Sequence, residues 1–182
     1  MKFALNFSTV LLALVSGSLL LSGCADSRVA DNDSTDAAKQ INAADFLLTS
    51  EPGDAIPVGS IKESAKDSDE VVIVGRVGGT THPWVDGAAA FTIVDESMKA
   101  CGDGVECSCP TPWDYCCVSP DTLAANTVMI KFVGDDQRAR EFNPKKVFEL
   151  SELQTIVVKG TVDRDDDTGK FTILAKQLYV KK

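Results

Sequence analysis

At 182 residues and a formal charge of −9, the chain is long enough for one domain with a real core and too short for two comfortable ones. An acidic protein of pI near 4.6 is repelled by phosphate backbones and anionic surfaces. That excludes general nucleic-acid binding, though not a local basic patch.

The chain opens on an address label. Met1-Lys2 supplies one positive charge, and residues 3–21 are almost wholly apolar, broken by Asn6 and a few Ser, Thr and Gly residues. A small-residue site follows, the pattern of a secretory signal peptide. The run is about long enough to cross a bilayer, so an uncleaved transmembrane anchor is the competing reading. The junction Leu21-Ser22-Gly23-Cys24 decides for the former, because it resembles the bacterial lipobox. The resemblance implies cleavage after Gly23, lipidation of Cys24 and anchoring on the periplasmic face of a bacterial cell envelope. Two or more acyl chains, at about 0.8 kcal/mol per buried methylene, anchor effectively for good. By the sorting rule of some envelope lipoproteins, which the resemblance brings with it, Ala25 in place of aspartate favours the outer membrane over the inner one. The signal peptide is residues 1–23, and its removal takes away Lys2 alone, moving the charge from −9 to −10.

Residues 24–44 form the acylated cysteine and a tether. The stretch is small, polar and acidic, with only Val29 and Ile41 as sizeable apolar groups, too few to offset its ordering entropy. As a coil its twenty residues after Cys24 reach about 25 Å on average. The domain, residues 45–182, begins near Phe46-Leu47-Leu48 and the turn signal Glu51-Pro52-Gly53-Asp54. Ser60 with Glu63 three residues on has capping-box spacing and predicts a short helix over 60–66.

Strands follow at 70–77, 89–95, 126–133, 155–162 and 170–180, the first of them dominated by β-branched valine and isoleucine. Gly75 interrupts the first and Gly160 the fourth, as a bend or bulge requires. Phe142, Val147, Phe148 and Leu150 carry helical spacing between the third and fourth strands, with Pro144 confining a helix to the second half or kinking it. The fold class is therefore all-β with one or two short helices. Strand–strand–strand–helix–strand–strand is the order of a five-stranded OB-fold-like barrel. Val74-Gly75-Arg76-Val77 and Lys159-Gly160-Thr161-Val162 resemble the first and fourth strands of small bacterial OB-fold modules of the nucleic-acid-binding-like kind. That likeness covers about residues 58–182 and implies fold rather than activity.

Between the second and third strands the barrel carries a cysteine-rich insertion, residues 96–121. Of the six cysteines, Cys101, Cys107, Cys109, Cys116 and Cys117 fall within seventeen residues of it. Phe91-Thr92-Ile93-Val94-Asp95, followed by a loop ending Thr111-Pro112-Trp113-Asp114-Tyr115-Cys116-Cys117, resembles uncharacterised bacterial lipoproteins with a TPWDYCC signature. The resemblance implies fold and location only.

Three chemistries compete for the five thiols. A disulfide staple fits an oxidising compartment, and an insertion without its own core needs cross-links. Two bridges then leave one cysteine over, and adjacent Cys116 and Cys117 point apart in extended backbone, towards different partners. A zinc or copper site is the second reading, although no C-x2-C pair and no histidine lies in the knot. Thiol redox is the third, opposed by the absence of C-x-x-C and by the acids Asp103, Glu106 and Asp114, which raise a thiol pKa.

Trp113 and Tyr115 are read as the insertion's own small core, or else as an exposed contact surface. His82 and Trp84, in the loop after the first strand, complete the candidate surface, with a His82–cysteine metal site as the sharper alternative. Asp163, Asp165 and Asp167 alternate like a calcium loop, but Thr168 and Leu174 stand where glycine and glutamate are needed, so a solvated hairpin turn is expected. No nucleophile elbow, phosphate loop or H-E-x-x-H occurs, and one histidine offers one base. The sequence thus implies no enzyme, no cofactor and no nucleic acid. It implies an envelope lipoprotein acting in binding or scaffolding, with the membrane and another envelope protein or glycan as partners.

Overall fold

The computed structural model describes residues 41–104 and 108–182. The expected signal peptide, Cys24, most of the expected tether and Cys107 lie outside the described residues. The elements run β1 (Ile56–Pro57), α1 (Val58–Ser64), β2 (Glu70–Val77), β3 (Ala90–Val94), α2 (Pro120–Ala125), β4 (Thr127–Phe132), α3 (Pro144–Val147), β5 (Thr155–Asp165) and β6 (Lys170–Val180). One-turn 3-10 helices add Ala43–Asp45 and Pro112–Asp114.

The five long strands close a ring. β2 pairs antiparallel with β3 at its end (Arg76↔Val94) and with β5 along most of its length (Glu70↔Thr161 to Arg76↔Thr155). β3 pairs with β4, β5 with β6, and the parallel pairing of β4 with β6 (Met129↔Thr172 to Phe132↔Ala175) completes the circuit. This is the OB-like order the sequence predicts, with a cysteine-rich insertion between the second and third ring strands. β2 belongs to both sides of the ring, which requires neighbours to approach its backbone closely. A Cβ on Gly75 would lie 2.8 Å from the Val94 carbonyl, and one on Gly160 2.5 Å from the Leu174 carbonyl. The β5–β6 register shifts between Lys159 and Gly160, so the second glycine marks a bulge.

Alternation builds the core: Val128, Ile130 and Phe132 of β4 point inward while Thr127, Met129 and Lys131 do not. Phe46, Phe132, Phe142 and Phe148 pack ring on ring at 5.2 to 6.0 Å between centroids.

Three helical expectations are corrected. Among the described residues there are three short α-helices rather than one or two. α1 starts at Val58, because burial of Val58 and Ile61 sets its first turn; Ser60 is inside it, and its carbonyl accepts the Ser64 hydroxyl at 2.7 Å. The helix after Pro144 is a single turn, since Glu149 at φ 54° is left-handed and cannot continue it. Phe148 and Leu150 are buried nonetheless. No helix among the described residues is long and apolar enough to cross a membrane.

Candidate functional site

The insertion leaves β3 through a buried acid. Asp95 is 4% exposed; its Oδ2 accepts the Gly59 N–H at 2.8 Å, and its Oδ1 accepts the N–H and hydroxyl of Ser97 at 3.0 and 2.7 Å. Burial pushes its pKa up, but the Ser97 hydroxyl, the Gly59 N–H and the Ser97 N–H outweigh that and hold the carboxyl below its usual range. One carboxylate thus serves as the remote cap of α1 and fixes the outgoing chain. Sequence spacing could not reveal it, because the two partners are thirty-six residues apart. Lys62 of α1 makes a second tie, donating to the carbonyls of Ala124 and Thr127, and burial lowers its pKa.

Further along, three anchors hold the cysteine loop against the barrel. Asp103 pairs with Arg76 of β2, and that guanidinium lowers its pKa. The Trp113 carbonyl accepts the Gly79 N–H at 2.8 Å, and the Trp113 indole N–H donates to the Thr81 carbonyl at 3.1 Å. Gly79, at φ 96°, adopts a backbone that side chains avoid, and a Cβ on neighbouring Gly78 would lie 2.6 Å from the Trp113 carbonyl. Tyr115 is the third anchor. At 1% exposure it packs with Val94 and Ala100, bordered by Met98, Val118, Leu123 and Leu153.

The TPWDYCC run makes its own turn. The Thr111 hydroxyl donates to Asp114 Oδ2 at 2.8 Å, and the other Asp114 oxygen accepts the Cys116 N–H at 2.9 Å. Pro112 opens the 3-10 turn, and Tyr115 closes it in the left-handed region at φ 56°. The reversal turns Tyr115 inward and leaves Cys116 and Cys117 exposed.

The sulfurs carry disulfides. Cys109 is bridged to Cys116, seven residues on, and Cys101 is disulfide-bonded too. Cys117 is free and exposed. Cys116 and Cys117 are not joined to each other. The Sγ atoms of Cys101, Cys116 and Cys117 nevertheless form a triangle with sides of 3.5, 3.8 and 3.9 Å. It is the one group of three or more potential metal ligands among the described residues. His82 is exposed and not part of it.

Of the residues weighed as contact surface, Tyr115 is buried, as the small-core reading expects, and Trp84 is half-buried. Tyr115 is core, and its hydroxyl has no hydrogen-bond partner among the described residues; burial raises its pKa. Trp84 stacks on Phe91 at 5.3 Å, donates to Glu152 at 2.8 Å and lies under Lys145 at 5.7 Å. Trp113 is half-buried, and His82 alone of the four is exposed. The aspartate turn is a hairpin: Asp165 accepts the Asp167 N–H at 3.0 Å, and Lys170 pairs with Asp163 at 2.6 Å.

Away from the knot, a groove of about 800 Å³ gathers Lys131, Arg140, Lys170 and Lys176 beside Asp67 and Asp163. This is the local clustering of cations that net charge alone left open. Lys170 and Lys176 are already paired, to Asp163 and Glu70.

Fold and site define a five-stranded OB-like barrel that carries a disulfide-bridged, cysteine-rich insertion. No protein-family model and no curated protein matches the chain. Among solved structures it is similar to the hypothetical protein ygiW from E. coli, at 13% identity over 75% of this chain and 96% of that one, with a TM-score of 0.37.

Proposed function

We propose that the protein is a lipid-anchored envelope module without enzymatic activity, which uses its braced insertion as a contact surface for an envelope protein or a glycan. One observation carries the reading. The insertion is pinned by Tyr115, Trp113 and the Arg76–Asp103 pair, while Cys116, Cys117 and nearby loop residue His82 face solvent. A loop held this way has its ordering entropy already met before any partner arrives. Anchoring through Cys24 and export rest on the lipobox resemblance, and outer-membrane placement on Ala25 beside it.

Site-directed photo-crosslinking in intact cells tests the contact surface. A photoreactive residue at His82 is expected to give discrete adducts. The same residue at Asp166, in the hairpin at the opposite end of the strands from Arg76, is expected to give none. Equal adducts from both positions, or none from His82, would contradict the reading. Loss of labelled fatty acid on Cys24→Ser tests the anchor; retention of label would refute it.

A second reading, thiol or metal chemistry at the same cysteines, is favoured by the position of Cys117. Its sulfur lies 3.8 and 3.9 Å from two sulfurs already engaged in bridges. Thiol titration after mild dithiol treatment checks it, with a rise above one thiol per chain expected.

A further inference from the structure

The three-sulfur triangle has a metric consequence. A triangle of sides 3.5, 3.8 and 3.9 Å has a circumscribed radius of about 2.2 Å. An ion at its centre, or about 0.8 Å off the plane, therefore meets all three sulfurs at metal–thiolate distance, about 2.3 Å for zinc. Sulfur-only donors select thiophilic d10 cations over hard ones. We propose that reduction converts the brace into a cage for one such cation, Cu(I) or Zn(II), held by the Sγ atoms of Cys101, Cys116 and Cys117. The proposal rests on the second reading above and names the ligand of that site.

The chemistry balances with a dithiol as reductant. Each bridge accepts two electrons and two protons and becomes two thiols, while the dithiol is oxidised to its disulfide. Opening the Cys109–Cys116 bridge and the bridge at Cys101 leaves three thiols at the triangle, with Cys109 and the former partner of Cys101 released as two further thiols. Binding then expels one proton per coordinating thiol. Cu(I) accepts three-coordination in the plane; Zn(II), off the plane, has a fourth position for which Cys109 competes with water. The preorganisation comes from the Tyr115 anchor and the Asp114 hydrogen bond to the Cys116 N–H, neither of which involves sulfur. The protein's acidity favours a cation at an exposed site.

The test uses the full-length exported protein in detergent, oxidised and dithiol-reduced, freed of reductant without oxygen. Cu(I) and Zn(II) are titrated separately against a chromogenic chelator of each. The reduced protein is expected to take one ion per chain from at least one chelator, and the oxidised protein none. Cys117→Ser leaves both bridges intact, so its fold is unaffected. Once reduced, it should bind the ion more than about 100-fold more weakly, since removing even a ligand's hydrogen-bonding partner costs up to that. Binding by the oxidised protein, or equal binding by reduced wild type and Cys117→Ser, would overturn the proposal. Two failures are told apart by thiol counting. Bridges that resist the dithiol sink the cysteine-chemistry reading itself, whereas full thiol release without metal uptake sinks the cage alone.

Discussion

Asp95 Oδ2 accepts the Gly59 N–H across 2.8 Å, so the last turn out of β3 caps the first turn of α1. The bond is nearly buried and charge-assisted, the kind whose loss leaves a donor stranded. Asp95→Ala should cost about 1–3 kcal/mol of unfolding free energy in chemical denaturation. A cost below a few tenths would refute the capping role. The folded pKa lies below the unfolded value of about 3.9. Its stabilisation is therefore complete above that unfolded value and is lost as pH falls through the folded one. Asp95→Asn should be correspondingly less sensitive to acid than wild type over that range.

Tyr115 separates packing from polarity at one position. Tyr115→Ala removes a buried aromatic and should cost about 3–5 kcal/mol, or unfold the insertion. Tyr115→Phe deletes a hydroxyl that has no partner among the described residues, so it should be neutral or slightly stabilising. Thermal melts of the pair decide it; a large loss with phenylalanine would show that the hydroxyl is bonded.

The Cys109–Cys116 bridge closes a short loop and contributes about 2.5 kcal/mol in the chain-entropy model. Replacing both cysteines with serine should make the insertion, rather than the barrel, the first segment cut in limited proteolysis. Cys117→Ser should leave the cleavage pattern unchanged, because that thiol is unbridged.

Gly160→Ala should destabilise by about 1–3 kcal/mol, because the new methyl meets backbone, the Leu174 carbonyl, at 2.5 Å beside the bulge. Gly53→Ala, with nothing within 4 Å, is the matched control and should be near neutral.

These residues also show what can be read from sequence and what cannot. β-Branched runs and two glycines mark the five ring strands and their special positions, because period-2 burial and backbone contact are written locally. Helix limits differ from expectation where tertiary contacts decide them: Val58 is pulled under by the core and Asp95 does the capping expected of Ser60. The cysteines announce a bridged insertion, but their spacing does not tell that Cys117 is the one left free. The small-core reading of Tyr115 agrees with its burial, whereas the half-buried packing of Trp84 on Phe91 is a long-range contact that its loop position does not show.

The most direct test of the bridged insertion is peptide mapping by mass spectrometry of the protein exported from its natural host, alkylated in acid before digestion. The expected result is a Cys109–Cys116 cross-linked peptide, with Cys101 protected from alkylation and Cys117 modified. Recovery of Cys101, Cys109 and Cys116 all alkylated, with no cross-linked peptide, would contradict it.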